Sequence, residues 1–469
     1  MADTAAANAA DTANTNSARK NAVEYKRMTE SPVFGLVLRL SVPTTFSMLI
    51  TSIYNLADTY FVSGLGNAAT GAVGVVFSIQ SIIQAIGYGF GMGAQSLISR
   101  KLGEKKQEEA ELYGTSGFVA AFLMGTLILL LGCLDLPLVM RLFGSTETAL
   151  PLACNYGGWI LLGAPIFCSS FVLNNILRAE GKATLSMVGL CTGGLLNIVL
   201  DALFILVCNM GIAGAAIATV ISQFVSFLIL ASFFLTKKST VQVDLRKTSR
   251  HLRDYATVFR VGLPTVFRQS LGSVATTLLN HAVRPYGDAA MAAVSIANKI
   301  YMLLRSMLIG VGQGFQPVAG FNYGAHRFDR VRRSFNVAVL IGTAYGVAAA
   351  TVLVLFSGQI IGWFRPGDTE VIRIGGRMLL YLGLSLPVLG YSTFVNQLYQ
   401  SLGFVAPATF LASCRQGIFF VPLILILPAT VGLTGIQLTQ ALADLITFAV
   451  SIPFHIRMFR RDLSLQDTW

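Results

Sequence analysis

Gly89-Phe-Gly91-Met-Gly93-Ala-Gln95 and Gly310-Val-Gly312-Gln-Gly314-Phe-Gln316 are one pattern written twice, 221 residues apart. Each copy lies inside an apolar run of the length that crosses a bilayer as a helix. The register extends well beyond these glycines. Pro43 pairs with Pro264, Gly66 with Gly287, Ala72 with Ala293, Gly103 with Gly324, Asn175 with Asn396, Gly211 with Gly432 and Gly214 with Gly435. In a chain with 45 glycines single coincidences are common, but eleven matches in one register are not. The chain therefore reads as two copies of one unit.

Working outward, long uncharged runs such as 119–134, 186–200 and 335–361 alternate with short basic patches. The sequence is 54% hydrophobic but only 12% charged, about half the charge a soluble domain carries. Too little charge remains to cover a water-facing exterior. Strands would need only about ten residues of alternating polarity, which excludes a barrel. The runs define twelve spans, at 34–62, 70–98, 113–136, 153–177, 185–208 and 214–236, then 255–283, 290–320, 335–361, 376–401, 407–428 and 433–456.

Lysine and arginine gather after the second span (Arg100, Lys101, Lys105, Lys106), the sixth (Lys237, Lys238, Arg246, Lys247, Arg250, Arg253), the eighth (Arg327, Arg330, Arg332, Arg333) and the last (Arg457, Arg460, Arg461). The positive-inside rule makes these loops and both termini cytoplasmic. Six spans per half is even, so both halves insert the same way up. The expected fold is all-α: twelve transmembrane helices in two parallel six-helix repeats, related by a pseudo-two-fold along the membrane normal, with a pathway between them. The expected divisions are a disordered cytoplasmic tail at 1–30, an N-terminal six-helix bundle at 31–236, a basic linker at 237–254, a C-terminal bundle at 255–461 and a tail at 462–469. The net charge of +12 follows from the loop bias, so a nucleic-acid partner is not expected.

Pro43 in the first span, Tyr54-x-x-x-Asp58 near its end, the turn Arg178-Ala-Glu-Gly-Lys182 and Asn197-x-x-x-Asp201 in the fifth span resemble the multidrug and toxic compound extrusion (MATE) family. The start Ser31-Pro-Val-Phe34 and the stretch Gly310-x-Gly-Gln-Gly-x-Gln-Pro317 are similar to its MepA-like bacterial branch. The resemblance covers roughly residues 31–460. It implies export of amphiphilic, often cationic organic compounds, driven by inward flow of Na+ or H+, across a bacterial cytoplasmic membrane. It also implies that Tyr54, Asp58, Asn197, Asp201 and Thr219 occupy the positions of the family's cation-binding set.

The residues themselves point to the same place. Ionisable side chains inside a span are costly and are functional candidates by default, and the first half holds two, Asp58 and Asp201. Each has a polar partner four residues earlier, Tyr54 and Asn197, on the same helical face. By helical rise Asp201 falls roughly 24 Å in from the cytoplasm, Asn197 roughly 18 Å, and Thr219 roughly 8 Å below the outer surface. Asp58 lies near the outer end of its span, so the side chains can meet. Two carboxylates, an amide oxygen and a hydroxyl suit a hard monovalent cation; two neighbouring carboxylates in a low dielectric suit a proton carrier equally.

The second half carries Arg268, Lys299, Arg305 and Arg415, with Asp444 the only acid at membrane depth. Arg415 and Asp444 reach similar depths and are expected to pair as a brace. Arg268 and Lys299, with Gln95, Asn174 and Gln316, are candidate cavity residues. An acidic half facing a basic half favours a zwitterionic or weakly anionic substrate, unless Arg305 reaches back to the cytoplasm and the others are paired. Pro43 and Pro264 lack the donor an unbroken helix needs, and Pro43 is the candidate hinge coupling Asp58 to substrate.

The alternating glycines have no strand before them and are not a dinucleotide fingerprint; close helix packing explains them. The six cysteines form no CxxC, and no histidine has a ligand neighbour at helical spacing, so neither a metal nor a cofactor is expected. No hydrolytic motif, pore loop or GxxxxGK[ST] is present, against an enzyme, a channel or an ATP-driven pump. The expected partners are a small amphiphilic substrate and the bilayer, the chain acting as a monomer. The alternative is a flippase for a lipid-linked saccharide or another anionic or zwitterionic amphiphile.

Overall fold

A computed structural model describes residues 21–462. Twelve long helices make up most of it, and no strand occurs among the described residues. They are α1 (Val33–Ser63), α2 (Asn67–Gly103), α3 (Gln107–Leu134), α4 (Leu150–Ala179), α5 (Ala183–Asp201), α6 (Gly211–Leu235), α7 (Leu252–Val283), α8 (Gly287–Gly324), α9 (Phe328–Phe364), α10 (Thr369–Leu402), α11 and α12 (Leu433–Arg457). Helix α11 comes in two pieces, Val405–Ser413 and Phe420–Val431, around a widened turn at Cys414–Ile418. A similar widened turn, Ala202–Val207, prolongs α5 directly after Asp201. Such turns insert one residue into the helical ladder and re-aim the side chains beside them.

The repeat is visible in the backbone. Gly66 and Gly287 take φ of 103° and 85°, and Gly211 and Gly432 take 59° and 63°. Even the non-glycine pair Lys105 and His326 shares φ of 60° and 55°. A left-handed residue at these points ends one helix and turns the chain into the next, and glycine does so without a Cβ clash.

The halves meet along a seam of α1 on α8, α7 on α2, and α2 on α8. A Cβ added to Gly93 would lie 2.0 Å from Val258 O, and one on Gly314 would lie 2.4 Å from Ser41 Cα. The Cβ of a substituted Gly262 would sit 1.9 Å from Gly89 O. At the helix ends the corresponding distances are 2.1 Å from Gly103 to Phe321 O and 2.0 Å from Gly324 to Arg100 O. Gly103 against Phe321 has its counterpart 221 residues away in Gly324 against Arg100, and Gly314 against Ser41 has one in Gly93 against Gly262, with the halves exchanged as a two-fold relation requires. Backbones this close leave no room for side chains, so glycine at these positions is a packing necessity.

All the close contacts lie toward the side where the Lys/Arg-rich loops emerge, here called the basic side. Hydrogen bonds between the halves gather there: Thr44 Oγ1 to Gly310 O at 2.7 Å, Ser96 Oγ to Gln400 O at 2.8 Å and Arg100 Nη1 to Leu402 O at 3.3 Å. Buried Arg178 donates from Nη1 to Gln313 Oε1 across the seam.

Two features of this side depart from expectation. Residues 21–30, part of the expected disordered tail, form a helix; residues 1–20 of that tail lie outside the described residues. The cause is tertiary. Met28 is fully buried, its carbonyl accepts from Asn322 Nδ2 at 3.1 Å, and Arg27 Nη2 donates to Gly181 O at 2.8 Å. The linker after α6 is also pinned. Fully buried Glu180 accepts from Thr240 N and Val241 N, both at 2.8 Å, and from Lys182 Nζ at 2.7 Å. The turn motif therefore holds the linker, while its first residue, Arg178, reaches up into the seam.

Candidate functional site

Asp201 ends α5 with no exposed surface, and Asp58 is half-buried on α1. The two carboxylates interact electrostatically. Asn197, one turn below Asp201, donates from Nδ2 to Thr219 Oγ1 of α6 at 3.3 Å. That bond uses the amide nitrogen and leaves Asn197 Oδ1 as an acceptor. Tyr156 of α4, 1% exposed, stands beside Asp58, Asp201, Thr219 and Tyr54. The ring of Tyr54 lies against Gly194 of α5, 3.2 Å from where a Cβ would project. Five residues expected together from the sequence are thus neighbours. Tyr156 completes the cluster, and nothing about one tyrosine in an apolar span marks it in advance.

The hydrogen-bond balance of this cluster is one-sided. Asp201 Oδ1 and Oδ2, Asp58 Oδ1 and Asn197 Oδ1 are buried with no donor. Buried acceptors are normally satisfied, and each orphan needs a physical reason. Four acceptor oxygens and two carboxylates, without a lysine or arginine among them, fit a bare monovalent cation or a shared proton. They fit no anion.

A cavity beside this cluster is lined by Thr51, Tyr54, Gln84, Tyr88, Asn174 and Gln223, all neutral. The Tyr88 ring packs on Phe171 with centroids 4.2 Å apart. Asn174 lies here as expected, its Nδ2 bound to Ser186 O at 3.0 Å. Gln95 and Gln316 do not belong here. Each is only 2% exposed within the closed seam, and Gln316 turns toward Gln397 and Gln400 of α10. The neighbouring glycines draw the helices so close that no path remains for these side chains to line.

In the second half Arg415 Nε donates to Asp444 Oδ1 at 2.6 Å. Gln440 Nε2 shares that oxygen at 2.9 Å, while Ser385 Oγ, at 3.1 Å, and Tyr301 Oη donate to Oδ2. Arg415 Nη2 also donates to Tyr301 Oη at 2.8 Å. Asp444 is fully buried and fully supplied with donors. Arg305 stands beside Arg415, Tyr301, Asp444 and Arg268 and does not reach back toward the basic side. Arg268 lies near Tyr88 of the other half. Lys299 is exposed, three helical turns before Gly310 and so on the face of α8 that looks toward the first half.

The MatE family profile matches residues 43–203 and again 264–426, so its two matches begin 221 residues apart, at Pro43 and Pro264. The chain belongs to the MatE family. Among relatives of this MATE chain, the multidrug export protein MepA of Staphylococcus saprophyticus is 26% identical over 420 residues, covering 89% of this chain and 92% of that protein. A solved structure described as the outward-facing conformation of a multidrug resistance MATE family transporter superposes with a TM-score of 0.88 at 27% identity, over 94% of this chain and 98% of that one. Another, a MOP superfamily transporter from Pyrococcus furiosus described as having reverse polarity of its binding pocket, gives 0.87 at 26% identity, over 95% and 99%. The chain is thus a MATE, MepA-like multi-pass membrane protein, a transporter and not an enzyme.

Proposed function

We propose that this chain is a secondary active exporter of the multidrug type, moving amphiphilic organic compounds outward by antiport with Na+ or H+. It acts as a single chain in a bacterial cytoplasmic membrane, with the basic side and both termini cytoplasmic by the lysine and arginine distribution. The observation that carries the coupling is the set of unpartnered acceptors on Asp201, Asp58 and Asn197. Two carboxylates without donors inside a bilayer are unfavourable as anions, and cation or proton uptake relieves that cost. Thr219 and Tyr54 complete the coupling set.

The basic-side seam is closed in this conformation, which favours a cleft open to the opposite side. Alternating access then follows if the seam parts while the far ends of the halves meet. Pro43 is the proposed hinge of α1. It lies within the segment gripped by Gly314 at Ser41 and by Gly310 at Thr45, just below the segment carrying Tyr54 and Asp58.

The test is efflux from vesicles under Na+ and pH gradients imposed separately, with Asp201→Asn in parallel. One gradient should drive export by the parent chain, and export by the variant should fall to that of empty vesicles. Undiminished gradient-driven export by Asp201→Asn would remove the coupling site.

A further inference from the structure

We infer that Arg268 and Arg305 form an oxyanion-binding site for the exported compound, so that the preferred substrate is an amphiphile bearing a carboxylate, sulfonate or phosphate. This deepens the transport reading and rests on it.

Three arginines from three helices, Arg268 of α7, Arg305 of α8 and Arg415 in the widened turn of α11, share one neighbourhood and repel one another. One acid, Asp444, faces them. Its two oxygens are already taken by Arg415, Gln440, Tyr301 and Ser385. It neutralises Arg415 and has no acceptor position left. Among the described residues neither Arg268 nor Arg305 has an ion pair, and Arg305 Nε is buried with no hydrogen-bond partner. Guanidinium is permanently charged and carries its donors in a planar fork that matches an oxyanion. Two such forks left unpaired at membrane depth are as one-sided as the orphan acceptors of the first half, with the sign reversed.

Arg268 is the member of the pair on the side toward the first half. Both side chains are partly exposed, and Arg268 lies beside Tyr88, whose ring and that of Phe171 border the cavity of the opposite half. Exposed Lys299, six residues before Arg305 and roughly 120° around α8 from it, adds positive charge on the side of that helix toward the first half. An amphiphile spanning the cleft therefore meets aromatic surface on one wall and unpaired guanidinium on the other. Asp58 and Asp201 belong to the proposed cation cage, and Asp444 is already saturated by its own donors.

The assignment has an electrical consequence. A cation moving in and an organic anion moving out both carry positive charge inward, so each cycle is electrogenic and an inside-negative potential drives it. Export of a monocation against one Na+ or H+ would move no net charge.

The experiment uses the purified full chain and three naphthyl probes of one skeleton, ending in sulfonate, phosphate or trimethylammonium, with a fluorescent polyprenyl phosphate as the lipid arm. Binding is measured in detergent without gradients, so the result stands apart from the coupling test. The sulfonate or phosphate probe should bind more tightly than the ammonium one. Arg305→Gln and Arg268→Gln should each weaken anion binding about tenfold or more, the loss of a charge-assisted hydrogen bond. Arg305→Lys should restore part of it if Arg305→Gln folds poorly. In vesicles, sulfonate export should accelerate under an inside-negative potential. Tight binding of polyprenyl phosphate alone would support the site and assign it to a lipid headgroup. Preferential binding of the ammonium probe, or unchanged anion affinity in both folded glutamine variants, would overturn it.

Discussion

Two aspartates, Asp201 and Asp444, have no exposed surface, yet their surroundings differ completely. Asp444 receives four donors, one of them a guanidinium; both oxygens of Asp201 receive none. Removing charge at the two positions should therefore have opposite consequences. Asp444→Asn leaves Arg415 buried without its counter-charge, a loss of roughly 3–5 kcal/mol. Asp201→Asn relieves an unpartnered charge, so stability should be unchanged or higher while ion dependence disappears. Thermal unfolding of both variants in detergent checks this. A destabilised Asp201→Asn beside an unaffected Asp444→Asn would reverse the assignment of the two acids. Both acids stand out in the sequence as charges inside apolar spans, but their donor sets do not. Tyr301 lies 143 positions from Asp444, and no local pattern links them.

At the scale of elements, α1 is one unbroken helix through Pro43, held by hydroxyl bonds from Thr44 to Leu40 O and from Ser47 to Pro43 O, both at 2.9 Å. Its lower part is clamped, since Ser41 and Thr45 abut Gly314 and Gly310. Its upper part carries the proposed coupling residues. Pro43, between the two clamped residues, removes one ladder hydrogen bond and lowers the resistance to bending at the base of the segment that holds Asp58. Pro43→Ala should therefore cut ion-driven efflux several-fold while leaving equilibrium cation binding intact. Full efflux by that variant would discard the hinge. Helix count and approximate bounds follow from apolar run length alone. The widened turns beside Asp201 and around Arg415 do not, because a one-residue insertion in a helical ladder leaves the hydrophobic pattern almost unchanged.

For the molecule as a whole, the two halves are joined by packing at the seam and by a linker fixed to the first half. Glu180 is the anchor, accepting two backbone amides and Lys182 in a buried position. Glu180→Ala strands those donors, a loss of about 1.5–3 kcal/mol for each charge-assisted bond. The linker carries Lys237, Lys238, Arg246, Lys247 and Arg250, so its release can be read with trypsin. The variant should be cleaved within residues 237–250 markedly faster than the parent chain. Equal cleavage rates would mean that the linker is held by other contacts.

The sequence alone determined the membrane setting, the twelve helices, the repeat at 221 residues and the two first-half carboxylates of the proposed coupling site, because length, composition and periodicity are local properties that a bilayer reads directly. The tertiary structure decided which buried charges have partners, that Tyr156 joins the first-half cluster, that Gln95 and Gln316 are sealed in the seam, and that residues 21–30 fold. These depend on which helices lie side by side, and a hydrogen-bond donor from a distant segment leaves no trace in the sequence around its acceptor.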